Sequence, residues 1–476
     1  VSPDSKVNNT SSHFYQIIEQ HAQGTPEAMA LIDNHQSLNY QQLLEQIDDR
    51  VAWLKQLINN KGVIGLQFSA TIWHVVTYLA CLKAKIPLLL IDPQLDEQIA
   101  QQQSINLGAN WLITGEANYI KLTDRPIDTR SDLAILLSTS GSTGAAKSIM
   151  LSENNLFSNA QSICQYLPMT NTDTGIASLP LSYSYGLSLL NTHLVIGACF
   201  VLTTESLISK TFWQLMSQHK VTSLAGVPFS YQMLKRLRID TMDLPALKYL
   251  TQAGGKLSAD LVMHFHHITQ SSGRAFYVMY GQTEASARIA YLPPQYLPEH
   301  SDCIGIAIPN GKLILRDINT DEAITAPDVE GQLCYQGPNV MLGYASSPSD
   351  LSSQQVITEL KTGDIAEITS KGLIKITGRL NRILKIQGKR FSLDHLEQVL
   401  LQYTGQHCYC FGEDDQLMVA IPHHLAIETI KQFFSQQYKL HPSLFSIIQL
   451  DTIPRLSNGK PDYRKLKLIK EQNNAV

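Results

Sequence analysis

Residues 136–152 read LLSTSGSTGAAKSIMLS, and they crowd Thr139, Ser140, Gly141, Ser142, Thr143 and Gly144 into one run with Lys147 just behind. Glycines let backbone N–H groups turn toward an oxygen-rich ligand, hydroxyls add donors and a lysine adds charge, so the run suits phosphate. It is not a Walker loop. No lysine follows Gly144, and the flanks DLAILLSTS and KSIMLS both read as strands, whereas a Walker loop leads from a strand straight into a helix. The spacing predicts strand–loop–strand, with the next helix opening after Ser152 as N-cap and carrying Leu156, Ala160, Ile163 and Leu167 on one face. Taken alone, the run is equally a Ser/Gly hairpin turn.

Four further stretches carry reactive types. YGQTEAS (280–286) follows an apolar strand and offers an aromatic face, a hydroxyl and a carboxylate. KTGDIAE (361–367) sets Asp364 after a glycine turn. ITGRLNRILKIQGKRF (376–391) gathers Arg379, Arg382, Lys385, Lys389 and Arg390 around Gly388. IPRLSNGKPDYRKL (453–466) places Lys460 on a glycine turn. Each has a bland alternative as a helix cap, a solvated charge or a surface turn. Five in this order are hard to explain blandly.

These pieces need a scaffold. Residues 38–58 put Leu43, Leu44, Ile47, Val51, Leu54 and Ile58 on one helical face, VIGLQF (63–68) reads as a strand, a helix runs through Val75, Leu79 and Leu82, and IPLLLID is a strand again. The alternation recurs in LVIGACFVLT, TSLAGVP, LKYLTQAGG and AFYVMYGQTE, which predicts an α/β domain with largely parallel sheet. After about residue 303 short strands with Gly and Pro turns suggest a β subdomain. From about 381 strands mix with helices such as SLDHLEQVLLQY and AIETIKQFFSQQY. The expected division is 1–380 and 381–476.

The bulk numbers agree with this layout. A chain of 476 residues exceeds one ordinary core. With 44% hydrophobic and 16% charged residues and a net charge of −4, it is globular in composition, with no basic excess that points to nucleic acid. Seven cysteines show no repeated spacing, so reduced thiols are expected rather than a zinc site or a disulfide framework. The opening VSPDSKVNNTSS is polar, and the longest apolar tract, 176–202, is interrupted by Ser182, Ser184, Asn191 and His193. The expectation is a cytoplasmic protein with no membrane span.

Taken together, the motifs resemble those of the adenylate-forming superfamily of acyl-CoA synthetases, nonribosomal-peptide adenylation domains and luciferases, over about residues 10–470. TSGSTGAAK is similar to the family's [ST]SG[ST]TGxPK, with Ala146 in place of proline. YGQTE, TGD, GR and NGK match family motifs, and GQLCYQGPNVMLGY matches a family turn with Gln332 where Glu is usual. The resemblance implies an α/β fold: a large N-terminal domain of α/β subdomains plus a β subdomain, and a small mobile α+β C-terminal domain. It also implies a two-step reaction, in which a carboxylate and ATP give acyl-AMP and pyrophosphate, and a thiol then displaces AMP.

By the same resemblance, the loop Thr139–Gly144 with Lys147 holds the β- and γ-phosphates, and Thr283 contacts the α-phosphate. Glu284 binds Mg²⁺. Tyr280 stacks on adenine, with the backbone of Gly254 and Gly255 along its edge. Asp364 accepts the ribose hydroxyls, and Arg379 supports the ribose. Lys460 bridges carboxylate and α-phosphate, Gly388 lets a pantetheine arm pass, and Asn381 stands at the hinge position where Asp or Lys is usual.

The acyl pocket is expected around LPLSYSYGLSLL (179–190), with Tyr183 and Tyr185 as an aromatic wall. Amino-acid-activating relatives carry an aspartate where this chain has Gly186. A buried ammonium without a partner is costly, which disfavours α-amino acids and favours a fatty or aryl acid. SYGLS also resembles the AYGLG run of benzoate-type ligases. The two tyrosines are equally explained as core packing. CoA and a carrier protein's phosphopantetheine both remain open as acceptor. So do an amino-acid adenylation enzyme loading a carrier protein, a luciferase-like oxidative role and an inactive binding homologue.

Overall fold

The computed structural model describes residues 12–58, 62–116, 118–138, 147–386, 389–413, 415–455 and 461–473. They fall into two compact units. One comprises Val1–Ser301, Ala307–Lys312 and Gln336–Leu360; the other comprises Asp302–Ile306, Leu313–Tyr335 and Lys361–Val476. The β-rich stretches 313–335 and 361–380 thus group with the C-terminal segment.

The first unit is α/β. Its largest sheet has seven strands in the spatial order Gly343–Ala345, Ser148–Ser152, Leu133–Ser138, Leu88–Ile91, Ile64–Gln67, Trp111–Gly115 and Asn118–Lys121. The three consecutive pairs from Leu133–Ser138 to Trp111–Gly115 are parallel, and the pairs at both ends are antiparallel. Strands such as Leu88–Ile91 are buried throughout, as a sheet covered on both faces requires. The helix Tyr40–Leu57 buries Leu43, Ile47, Val51 and Leu54, the face that the sequence periodicity marks, and Asn39 closes its start with a capping box. In a second sheet Ser223–Gly226, Tyr249–Gln252 and Ala275–Tyr280 run parallel, and Ala290–Leu292 adds on antiparallel.

The apolar tract 176–202 becomes the strand end Thr174–Ile176, the buried helix Ser184–Ile196 and the strand Cys199–Val201. Among the described residues no helix is long and apolar enough to cross a membrane. Among the described residues none of the seven cysteines is in a disulfide.

The second unit holds a sheet of strands Ala323–Ile324, Lys312–Arg316, Gly331–Gln336, Leu360–Ile368 and Ile374–Arg379 in that order. Beyond it come the hairpin Ile383–Ile386/Lys389–Ser392 and a three-stranded sheet, Tyr409–Glu413, Gln416–Pro422 and Phe445–Leu450. The helices Leu393–Thr404 and Ile427–Gln437 pack on it, through Leu396, Leu400, Ile430, Phe433 and Phe434. The fold is therefore mixed α/β, with a β subdomain and a small α+β piece.

Candidate active site

Leu133–Ser138 and Ser148–Ser152 form the antiparallel hairpin that the sequence predicts, closing at the pair Ser138↔Ser148. Ser152 caps the helix Glu153–Tyr166 by accepting from Asn155 N, which fixes where the chain leaves the hairpin. Thr139, Ser140, Gly141, Ser142, Thr143 and Gly144 lie outside the described residues. Lys147, the next described position, is exposed, and its Nζ lies 5.7 Å from the centroid of the Tyr344 ring. Tyr344 sits on the edge strand Gly343–Ala345, opposite Ile149. Its hydroxyl donates to Glu284 Oε1 at 3.1 Å. Burial, and then the neighbouring Glu284 carboxylate, push the Tyr344 phenol well above its ordinary range, so it stays a neutral donor. One tyrosine thus lies between Lys147 and the expected metal ligand Glu284. A single carboxylate suits Mg²⁺, which is commonly held by one or two carboxylates together with substrate phosphates.

The motif 280–288 is a tightly determined turn. Tyr280 ends the strand Ala275–Tyr280, and its hydroxyl accepts from Gln282 Nε2 at 3.3 Å. A Cβ at Gly281 would stand 1.6 Å from Ala287 O, so only glycine fits. Thr283–Ala285 forms one 3₁₀ turn. Ser286 and Ala287 follow at φ 54° and 106°, the second a strained value for a residue with a side chain. The strain is held from outside. Asn339 Nδ2 donates to Ala285 O at 2.7 Å and to Arg288 O at 2.8 Å, while Ser286 Oγ donates to Asn339 O at 2.9 Å. Met341 N donates to Glu284 O at 2.8 Å. Thr283 Oγ1 is 3.0 Å from Ser184 Oγ, so the motif meets the first turn of the helix Ser184–Ile196.

Around that helix start lie the residues expected to form the acyl pocket. Tyr185 is buried, and its hydroxyl donates to Thr251 O at 3.0 Å. Tyr183 is the N-cap residue of the helix, and Gly254, at φ 81°, passes under its hydroxyl with Gly255 following beside Pro228. Gly186 has a steric reason that the sequence comparison hides. A Cβ there would stand 2.1 Å from Pro180 O and 2.9 Å from Leu179 O. The helix is pressed against backbone at this point, and no side chain, aspartate included, fits without moving it.

In the second unit Asp364 and Arg379 face each other across the ladder of Leu360–Ile368 and Ile374–Arg379. Arg379 Nε lies 2.8 Å from Asp364 Oδ1, with the carboxylate buried and the guanidinium half-exposed. Asn381 lies in the three-residue 3₁₀ turn Leu380–Arg382. Lys460 and Gly388 lie outside the described residues. The neighbouring Arg382 is gripped by Asp394 and Glu397, stacks 4.3 Å over Tyr463, and Tyr463 donates to Glu397 Oε1 at 3.0 Å. Burial, the leading cause, pushes Glu397 up to about 7, against the opposing pull of Arg382.

Sequence reasoning missed Tyr344, Asn339, Ser184 and Arg288 as parts of this arrangement. Tyr344 and Asn339 do sit in the quoted GPNVMLGY run, but their partners are some sixty and fifty residues away and are fixed only by the fold.

The strand hairpin and the strained acidic turn thus meet at Tyr344. The family described as AMP-binding enzyme matches residues 18–129 and 118–345. The chain belongs to the AMP-binding enzyme family. It is 27% identical over 508 residues to the medium-chain fatty-acid–CoA ligase of Escherichia coli (strain K12), covering 93% of this chain and 88% of that one. It is 24% identical to gramicidin S synthase 2 of Aneurinibacillus migulanus across 97% of this chain, which spans only 11% of that synthase. Among solved structures, o-succinylbenzoate CoA synthetase from Bacillus subtilis, in complex with its acyl-adenylate intermediate, shares the fold. The TM-score is 0.80 at 21% identity, covering 95% of this chain and 97% of that one.

Proposed function

We propose that this chain is an AMP-forming acid–thiol ligase that converts a small carboxylic acid to acyl-AMP and then to a thioester. The observation that carries the reading is the assembly of Thr283, Glu284, Tyr344 and Lys147 in one unit of an AMP-binding enzyme. A carboxylate oxygen attacks the α-phosphorus of ATP, the bond to the bridging oxygen breaks, and pyrophosphate leaves. Such a displacement needs in-line positioning and charge stabilisation more than covalent help. Lys147 and the 139–144 loop hold the departing phosphates, and Thr283 holds the α-phosphate. Glu284 would hold Mg²⁺, which would supply charge neutralisation at the phosphates. Asp364 and Arg379 hold the ribose, Tyr280 the adenine, and Lys460 steadies the charge that builds between carboxylate and phosphorus. In the second step a thiol sulfur bonds the acyl carbon, the acyl–phosphate bond breaks, AMP leaves and the thiol proton passes to solvent.

Residues 381–476 act as the mobile domain and Asn381 as its hinge. The acceptor is CoA, as the name of the fatty-acid ligase relative suggests, with a carrier-protein arm as the alternative that the peptide synthases suggest. The protein works in the cytoplasm. An α-amino acid is disfavoured, because position 186 has no room for an ammonium-pairing aspartate.

ATP–pyrophosphate exchange over a panel of acids, followed by thioester detection with CoA, tests the reading. Exchange with no acid at all would refute it. Lys460→Ala should lower adenylation by orders of magnitude and spare thioester formation from supplied acyl-AMP. Equal loss in both steps would remove Lys460 from its role.

A further inference from the structure

Arg288 is the largest fully buried side chain among the described residues, with 2% of its surface exposed. It leaves the strained turn directly after Ala287, and its carbonyl oxygen accepts from Asn159 Nδ2 at 3.1 Å and Asn339 Nδ2 at 2.8 Å. Two other elements therefore fix where its side chain begins. Its Cζ lies 3.9 Å from the centroid of the Tyr185 ring, and the Tyr166 hydroxyl lies beside it. Among the described residues no carboxylate pairs with it, and its Nε has no hydrogen-bond partner. A buried guanidinium keeps its charge and loses its hydration, and ring contacts return only part of that loss. Among the described residues, another buried arginine with a stacked tyrosine, Arg382, is held by two acids. Arg288 has none.

Arg288 also lines a narrow cavity within the first unit. The walls are largely apolar: Ile163, Leu167, Leu189, Phe200, Tyr249 and Met279. A cation without an acid in an apolar cavity is a half-made ion pair.

We propose that the acid activated here carries a second carboxylate, and that Arg288 binds it while the first is adenylated. The inference rests on the adenylation reading. Thr283, the expected α-phosphate contact, meets Ser184, and the next residue, Tyr185, carries Arg288 on its ring. Two adjacent residues of one helix therefore join the reacting end to the cationic end. Thr283 and Arg288 are five positions apart, a distance of at most about 18 Å when extended, and the intervening 3₁₀ turn shortens that span. The ligand is accordingly a short dicarboxylic acid with an apolar middle, aliphatic or aromatic. No bond is made or broken at the carboxylate on Arg288, which only fixes which end of the acid reaches phosphorus.

Exchange rates of the intact chain with matched acids test this: succinate against butyrate, glutarate against pentanoate, adipate against hexanoate, phthalate against benzoate. In at least one pair kcat/KM should favour the dicarboxylate by about a hundredfold or more, since a site built around a polar group strongly rejects the analogue that lacks it. In Arg288→Leu the ratio should fall to about one, and Arg288→Lys should keep part of it. Equal rates within every pair, or a preference that Arg288→Leu leaves intact, overturn the proposal. Thermal shifts with the same acids and a non-hydrolysable ATP analogue read the subsite apart from turnover. Protection by a dicarboxylate, lost in Arg288→Leu, supports the subsite even where exchange is absent and the adenylation reading fails. No protection by any dicarboxylate counts against it. If circular dichroism shows Arg288→Leu unfolded, the wild-type pairs and Arg288→Lys decide.

Discussion

Tyr344 acts at the scale of a single hydrogen bond. Its hydroxyl donates to Glu284, and its ring lies near Lys147, so it orients the expected metal ligand without touching metal itself. Outer partners of this kind typically change metal affinity by about 10–100-fold when removed. Tyr344→Phe keeps the ring and deletes the donor. The half-saturating Mg²⁺ concentration in pyrophosphate exchange should rise by about tenfold; an unchanged titration would show that Glu284 needs no such support. At this scale the sequence spoke unevenly. Glu284, Thr283, Asp364 and Lys147 are expectations from motifs, because their neighbours in the chain repeat a pattern. Arg288 could not, because what singles it out is an absent partner, and only packing reveals that. Gly186 was legible as an aspartate missing from a pattern, whereas its contact with Pro180 O depends on the angle at which a helix meets a loop.

At the scale of elements, the turn 280–288 is where local geometry meets the expected site. The pair Gly281 and Ala287 is a lock: the first must lack a side chain because the carbonyl of the second sits where a Cβ would be. Gly281→Ala should therefore displace the turn, lowering stability by about 3 kcal/mol or more and abolishing exchange. A melting curve with the wild-type midpoint would contradict the lock. The elements that frame this turn were foreseeable. Strand–loop–strand around residue 140 followed from apolar flanks on both sides, and the helix after Ser152 from a cap and a 3.6-residue repeat. What the sequence does not carry is the clamp. Asn339 reaches back some fifty residues to hold Ala285 and Arg288, and no local rule assigns an asparagine in a Gly/Pro-rich stretch to that task.

For the whole molecule, acid sensitivity follows from two buried histidines of the first unit. Burial, with Arg50 adding to it, holds His74 down to about 4, and burial likewise lowers His193. A depressed folded value means that the unfolded chain binds more protons below about 6.5, so stability is full above that pH and drains as pH falls toward 4. For His74 the loss at pH 5 amounts to about 2 kcal/mol. The melting temperature should drop between pH 7 and pH 5, and by less in His74→Gln; an identical drop in that variant would exclude His74 as the source.

The pairing of Gly343–Ala345 with Ser148–Ser152 has a consequence in time. Met150 and Gly343 become neighbours although about two hundred residues separate them. Long-range pairings of this kind wait on the entropy of closing the intervening chain. During synthesis the hairpin beside the phosphate loop can form early, since its two strands are close in sequence. Tyr344, and with it the link from Lys147 to Glu284, arrives only after the whole α/β body has been made. A ribosome-bound intermediate lacking the stretch beyond residue 340 would hold both the hairpin and Glu284 without the tyrosine that links them.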